Sequence, residues 1–265
     1  MLNNDIYSKE DEIIANFLKD RNLEKTNRMQ GLPTPRESIY TKYIKRVLDI
    51  IITISLSIFL LPVLFILSLL VRFNLGKPVI YRQSRVGKDG KVFNMLKFRS
   101  MTDDRDSEGQ LLPPQMRLTK FGLFIRKYSL DELPQLYNII RGDMSIIGPR
   151  PLPVFFSKRM SERHLMRNCV KPGLECPYIT PVGTTLNPYQ LEFENDIEYI
   201  ENIGFLKDVQ MFFRLIKLVL NVDKRKKHAG ALSYFMGYDD NGLAIGMTGV
   251  NKQYNVSEIL KEKNK

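Results

Sequence analysis

Tryptophan is absent from this 265-residue chain, and it carries only two cysteines and two histidines. Cys169 and Cys176 lie seven positions apart with no second pair, and only His164 and His228 could join them. That inventory is too small for a zinc site and gives no disulfide framework. A reduced, cytoplasm-facing setting is therefore the default. A secretory signal is also missing from the first forty residues, because the long apolar run comes too late and no small-residue cleavage site follows it. There is no internal repeat. Negative charge is in short supply: 29 acidic against 40 basic residues leave a net charge of +11 and a pI near 9.5. Such a chain attracts something anionic, whether nucleic acid, lipid headgroups or a phosphorylated substrate. With 43% hydrophobic and 26% charged residues it can still bury a core, in one or two domains.

Charge disappears entirely from Ile50 to Val71, a run of 22 residues. At 1.5 Å per residue this is long enough to cross a hydrocarbon layer of about 30 Å. Pro62 divides the run into arms of twelve and nine residues, each reaching roughly half of that thickness. Lys42, Lys45 and Arg46 precede the run and Arg72 and Lys77 follow it, so the residues that mark a cytoplasmic side stand at both ends. A helical hairpin entering and leaving on one side fits these flanks. On the segment alone, a spanning helix with a proline kink is the commoner arrangement.

Before this run, Glu10, Asp11 and Glu12 lead into Ile13, Ile14, Phe17 and Leu18 at helical spacing, and Gly31, Pro33 and Pro35 mark a linker. After it, Pro78 to Tyr81 and Val92, Phe93 and Leu96 read as two strands joined at Asp89 and Gly90. Phe121 to Arg126 and Leu130 to Ile140 read as short helical pieces, and Gly148, Pro149 and Pro151 as a rigid loop. Leu206, Val209, Phe213, Ile216 and Leu220 form an apolar stripe opposite Lys207, Gln210, Arg214 and Lys217. That helix either packs on the core or lies on a membrane surface, and Lys224 to Lys227 favour anionic lipid.

Chemistry is most concentrated at Ser129-Leu130-Asp131-Glu132-Leu133-Pro134-Gln135. Ser129 and Glu132 have capping-box spacing, which places two carboxylates at a helix start, where they can stand ionised beside a phosphate or a metal. Taken by itself, such a pair is more often a cap and a solvated charge. Lys97, Arg99, Arg126 and Arg150 lie in short polar breaks between apolar segments and suit phosphate oxygens, although a lone Lys or Arg is usually a surface charge.

These pieces occur in one order: Lys45-Arg46 with Asp49; Gly76-Lys77-Pro78; Gln83-Ser84-Arg85-Val86-Gly87; Lys97-Phe98-Arg99-Ser100-Met101; Arg126-Lys127-Tyr128; Ser129 to Leu136; Arg141 to Ser145; Gly148-Pro149-Arg150-Pro151. From about Lys45 to Leu220 the chain resembles the monotopic phosphoglycosyl transferase superfamily, bacterial sugar transferases that load undecaprenyl phosphate. The resemblance implies an α+β, mostly helical fold with a re-entrant membrane helix broken at Pro62, a small β-hairpin and amphipathic interfacial helices. It implies a polar extension over 1–40, the re-entrant helix over 41–75, a catalytic domain over 76–221 and a C-terminal extension over 222–265. It also implies that Asp131 attacks the phosphate nearest the sugar of a UDP-sugar, giving a covalent phosphosugar enzyme and UMP. Asp131 and Glu132 would hold Mg2+, Arg126 would bind phosphate, Arg150 between Pro149 and Pro151 would meet the nucleotide, and Lys97 and Arg99 would support them. The partners implied are the UDP-sugar, undecaprenyl phosphate and membrane lipid, at the cytoplasmic face of the bacterial inner membrane, with room for an oligomer.

The chain departs from the family pattern in places. Leu61 stands where a serine usually precedes the proline, and Glu175-Cys176-Pro177 follow Pro172-Gly173-Leu174 where a small hydroxyl residue and glycine are usual. Gly183 is followed by Thr184, Thr185, Leu186 and Asn187 without the usual arginine, after which Asp196, Tyr199 and Asp208 resume the pattern. A catalytically silent membrane scaffold of the same fold is the competing reading. A nucleic-acid binder is disfavoured because the basic residues surround a membrane segment and no nucleic-acid motif is present. The sugar is not legible in the chain.

Overall fold

A computed structural model describes residues 9–177, 188–220, 234–247 and 259. The altered stretch Gly183 to Asn187, the basic run Lys224 to Lys227 and His228 lie outside them. The described chain is helical for the most part, with three separate two-stranded sheets.

Helix α1 (Lys9–Met29) begins on the acidic turn Glu10, Asp11, Glu12, which suits the positive end of its dipole. A short π-helical turn (Tyr40–Ile44) leads into α2 (Lys45–Leu75), which remains helical through Pro62. Its buried positions, Asp49, Thr53, Leu67, Val71 and Leu75, fall on one stripe, with most of the remaining apolar surface exposed. Over the span Tyr40–Leu75 the mean hydropathy reaches 2.9 and only 11% of the most apolar stretch is buried. A helix this apolar and this uncovered is a candidate membrane segment, because water would penalise so much exposed hydrocarbon.

The foot of α2 is bolted to the rest of the chain. Arg46 donates to the carbonyls of Ile139 (2.6 Å) and Ile140 (2.8 Å), and Asp49 accepts from the amide of Ile146 at 3.1 Å. Asp208 accepts from Lys45 (2.5 Å), Tyr40 (2.6 Å) and Tyr199 (2.7 Å). At the other end, Leu67, Val71 and Leu75 pack against Phe98 and Ile125.

Strands β1 (Ile80–Val86) and β2 (Val92–Phe98) form the antiparallel hairpin expected from the sequence. Asp89 and Gly90 both take positive φ at its turn, the conformation that matches strand twist. Alternation then sorts the side chains: Phe93, Met95 and Lys97 share one face with Tyr81, Gln83 and Arg85 across the pair. After the short α3 (Pro114–Arg117) comes α4 (Lys120–Lys127), capped by Thr119 on the amide of Gly122 at 3.0 Å. Leu130–Glu132 is a 3-10 turn and α5 (Gln135–Arg141) follows it. The expected capping box does not form. Ser129 sits in the left-handed region with φ 54° and makes no side-chain cap, and Glu132 is drawn to cations instead.

Strand β3 (Ser145–Ile147) runs parallel to β4 (Gly173–Glu175), with the short α6 (Val154–Ser157) and α7 (Glu162–Leu165) between them. The two strands meet so closely that a Cβ on Gly173 would come within 2.2 Å of the Gly148 amide nitrogen. Helix α8 (Pro188–Asn202) buries Ile197 and Ile200 in a core shared with Met95, Ile139 and Met144, and Phe193 in a second cluster with Phe156 and Phe235. Helix α9 (Phe205–Leu220) turns Met211 inward and leaves Leu206, Val209, Phe213 and Ile216 exposed. The helix thus packs on the core through Met211, Phe212 and Leu215, while these four stripe residues stay exposed.

The hairpin β5 (Phe235–Tyr238) and β6 (Ala244–Gly246) pairs with α1 rather than standing apart. Leu18 and Ala15 meet Met236, while Phe235 and Tyr238 pack on Phe156, Tyr189 and Phe193. His164 contacts the Tyr238 hydroxyl at 2.8 Å and the Glu194 carboxylate at 3.0 Å, which ties the hairpin to α7 and α8.

Candidate active site

Hairpin β1–β2 supplies the first cation of the site. Phe93 and Met95 are buried, so Lys97, two residues on along the same face, points inward as well. Its ammonium donates to Glu132 Oε1 at 2.7 Å. Arg150, in the loop after β3, donates to the same oxygen at 2.5 Å and also reaches Glu175 at 3.2 Å and the Leu174 carbonyl at 3.0 Å. Burial alone would raise the Glu132 carboxyl, but Arg150 and Lys97 override it and hold it well below the usual carboxylate range. Glu132 in turn holds the Arg150 guanidinium charged, against the cost of its burial.

Asp131, its neighbour, has a different environment. It is 7% exposed and makes no ion pair with a described residue. Burial pushes its carboxyl up, with Lys97 opposing and Glu132 reinforcing the shift. Asp131 is thus a buried carboxylate without an ion-pair partner among the described residues, while Glu132 is neutralised twice over.

Arg126 approaches from the last turn of α4, where its Nε donates to Ser100 Oγ at 2.8 Å. The approach depends on Gly122, since a Cβ there would lie 1.9 Å from the Ser100 carbonyl oxygen. Arg126 has no carboxylate partner among the described residues, and burial lowers its pKa. Arg99 lines the same cavity with its head committed to the carbonyls of Met101 and Lys77, each at 2.8 Å, and to Asp103. Pro149 and Pro151 are buried, and their carbonyls accept from Gly173 (3.0 Å) and Arg85 (3.1 Å). They brace the Arg150 loop from behind.

The cavity enclosing Asp131, Glu132, Lys97, Arg126 and Arg150 has a volume of about 1650 Å3. Its lining also includes the apolar side chains Ile52 and Leu56 of α2 and Phe212, Leu215 and Ile216 of α9. A space lined both by cations and carboxylates and by hydrocarbon accepts a phosphorylated head on an apolar tail. Pro62 lies on the exposed side of α2, away from this cavity.

Several participants were not foreseen as site residues. Arg85 lines the cavity, and among the described residues its guanidinium binds the Gln83 side chain (2.7 and 3.2 Å) and the Pro151 carbonyl. Burial and the nearby Arg150 lower its pKa to about 10. Glu175, Glu192 and Asp196 form an acidic wall. Asp196 pairs with Arg167, each 2% exposed at the side chain, and burial raises both Glu192 and Asp196. The available signal was an acidic pair four residues apart on α8, flanked by Tyr189, Phe193 and Ile197 on the face that helical spacing assigns to the core.

Comparison with known proteins agrees with this geometry. A family model described as bacterial sugar transferase matches residues 40–222. The uncharacterized sugar transferase EpsL of Bacillus subtilis (strain 168) is 39% identical over 177 residues, covering 67% of this chain and 87% of its own length. An Aeromonas hydrophila UDP-N-acetylgalactosamine-undecaprenyl-phosphate N-acetylgalactosaminephosphotransferase is 32% identical over 71% of this chain and 45% of its own. An Escherichia coli (strain K12) UDP-glucose:undecaprenyl-phosphate glucose-1-phosphate transferase is 34% identical over 77% of this chain and 46% of its own. The chain therefore spans a little under half the length of these last two relatives.

Proposed function

Because the chain belongs to the bacterial sugar transferase family, we propose that it moves a sugar 1-phosphate from a UDP-sugar to undecaprenyl phosphate. The observation that carries this reading is that one cavity is lined both by the Asp131–Glu132 pair and by apolar residues of α2 and α9. A polyprenyl tail can stay against α2 and α9 while its phosphate reaches Asp131.

In the first step an Asp131 carboxylate oxygen attacks the phosphorus that bears the sugar. The P–O bond to the uridine monophosphate breaks, its electron pair leaves with UMP, and an acyl phosphate joins Asp131 to the sugar phosphate. In the second step a phosphate oxygen of undecaprenyl phosphate attacks the same phosphorus. The bond to Asp131 breaks, the carboxylate is restored and undecaprenyl diphosphosugar departs. Both attacks bring anions together, so the cations decide the barrier. Arg126 and Arg150 face the diphosphate, and Lys97 and Arg150 keep Glu132 ionised.

Magnesium fits the two carboxylates. Glu132 Oε1 is taken by Lys97 and Arg150, whereas Oε2 accepts from no described residue, and Asp131 has no ion-pair partner among them. No cluster of three metal-binding side chains exists among the described residues, which matches an ion that rests on one or two carboxylates plus substrate phosphates. When bound it would neutralise charge on the diphosphate.

Re-entry of α2 from the cytoplasmic face of the inner membrane completes the reading. Both ends of the helix pack on the catalytic body. Pro62, on the side opposite the buried stripe, would open the helix outward at the Ile58 carbonyl and fold both arms toward that body. The exposed stripe of α9 and Leu123 and Phe124 of α4 would rest on the lipid surface.

The test is a pulse of purified protein with magnesium and a UDP-sugar radiolabelled in the sugar. Labelled protein stable to acid and released by hydroxylamine is expected, with stoichiometric UMP and no label in Asp131→Asn. Absence of labelled protein and of UMP with every donor would favour a silent scaffold of the same fold.

A further inference from the structure

A second, smaller cavity of about 250 Å3 lies behind Arg150, between the loop after β3, helix α6, helix α8 and the start of β5. It shares Gln83, Arg85, Arg150, Glu192 and Tyr234 with the main cavity, so the two spaces adjoin at those residues. We infer that this side pocket receives the sugar ring of the nucleotide-sugar donor, and that Glu192 and the extension residue Tyr234 help select which sugar is accepted. The inference rests on the transferase reading above and concerns the part of the donor which that reading leaves open.

Its chemistry is that of a site for a neutral, hydroxyl-rich ring. Glu192 lines both spaces and accepts no hydrogen bond from a described residue, with the Arg167 guanidinium standing off at 4.0 Å. Burial pushes this carboxyl up to about 7, so it can accept from a sugar hydroxyl as the carboxylate or donate to one as the acid. Gln83 and Arg85 add an amide and a guanidinium, and the partly buried Phe155 adds aromatic surface for the C–H face of a ring, with Phe156 and Tyr189 themselves buried in the adjoining core. The volume equals about eight waters at roughly 30 Å3 each, the size class of one ring and not of a whole nucleotide. The pocket also begins at Arg150, beside Glu132, so a ring there stays one linkage away from a phosphate in the cation cradle.

The origin of Tyr234 points to the sugar over the nucleoside. Two relatives named above carry uridine diphosphate donors in common and differ in the sugar, glucose in one and N-acetylgalactosamine in the other. The shared family segment ends at residue 222, and Tyr234 lies beyond it. Tyr234 is the one described lining residue from outside the shared segment, and a contact added there suits the part of the donor that varies. Tyr234 is fixed there because β5 begins at the next residue and is held by core aromatics, by Asn22 on the Tyr238 carbonyl (2.8 Å) and by Gln190 on the Ala244 amide (2.7 Å).

Glu192→Gln, which keeps the shape, and Tyr234→Ala can be compared with the unsubstituted chain in lipid discs. UMP release is measured for UDP-glucose, UDP-galactose, UDP-N-acetylglucosamine and UDP-N-acetylgalactosamine, with UMP itself as competitive inhibitor. The expected result is a shift of at least about tenfold in the ratio of kcat/KM between the best donor and the others, with UMP inhibition unchanged within about twofold. Donor ratios that hold steady in both variants would overturn the inference. So would equal loss for all donors together with weakened UMP inhibition, which would assign the pocket to the nucleoside. An unsubstituted chain that releases no UMP with any donor overturns both this inference and the transferase reading; steady ratios in an active chain overturn this inference alone.

Discussion

Two clusters of buried charge, one at the foot of α2 and one in the cavity, are built on opposite principles. At the foot of the membrane helix, Asp208 is satisfied by one ammonium and two phenols, all within 2.7 Å. In the cavity, Glu132 is satisfied in the same way, but Asp131, Arg126 and Arg85 have no charged partner among the described residues. The first cluster fastens the apolar helix to the catalytic body. The second keeps electrostatic capacity in reserve for an anionic ligand. Perturbed and incompletely paired groups in a cavity are the usual mark of chemistry, and closed ion pairs are the mark of anchoring.

The comparison breaks most sharply at the two aspartates. Asp131→Asn should remove phosphosugar labelling and lower turnover by at least about a thousandfold, without lowering the unfolding temperature. The sign follows from the raised folded-state pKa: an ionised Asp131 costs stability once the pH exceeds its unfolded value, and asparagine removes that cost. Asp208→Asn should do the reverse. It leaves Lys45 buried without its carboxylate, a loss of about 3–5 kcal/mol, read as a lower denaturation midpoint, while labelling per folded molecule is retained. A labelled Asp131→Asn protein, or an Asp208→Asn protein that is folded but inert, would erase the distinction.

A smaller effect sharpens it within the dyad. Glu132, with its pKa depressed, contributes stability above the unfolded value near 4.5 that is lost only as pH falls through the lower folded value. Asp131, raised above 3.8, stops being ionised first. On acidification the limb of kcat/KM should therefore fall while the fold persists, measured by parallel activity and circular-dichroism profiles. Coincident loss of both would mean that the two carboxylates titrate as one structural unit.

Much of this molecule is readable along the chain. The Asp89-Gly90 turn between two apolar runs gives the β1–β2 hairpin, because only a left-handed pair of residues matches strand twist there. The uncharged run around Pro62 gives α2, and adjacency alone identifies Asp131 and Glu132 as a pair. The local reading failed at Ser129, where spacing suggested a capping box. Two cations from distant strands and loops outcompete a single amide for the Glu132 carboxylate, so tertiary charge overrides local capping.

Sequence by itself determined the candidate membrane segment, the order of the motifs and the chemical types available to the site, since each depends on composition or on neighbours a few residues apart. Only the tertiary structure decided which carboxylate is neutralised and which stays without an ion pair, and that the two extensions meet, with the C-terminal one reaching the cavity through Tyr234. Those outcomes depend on distances between residues far apart in the chain: Lys97 to Glu132, Arg150 to Glu175, Asn22 to Tyr238. No periodicity encodes them, because Coulomb energy and desolvation are set by separation and burial in three dimensions.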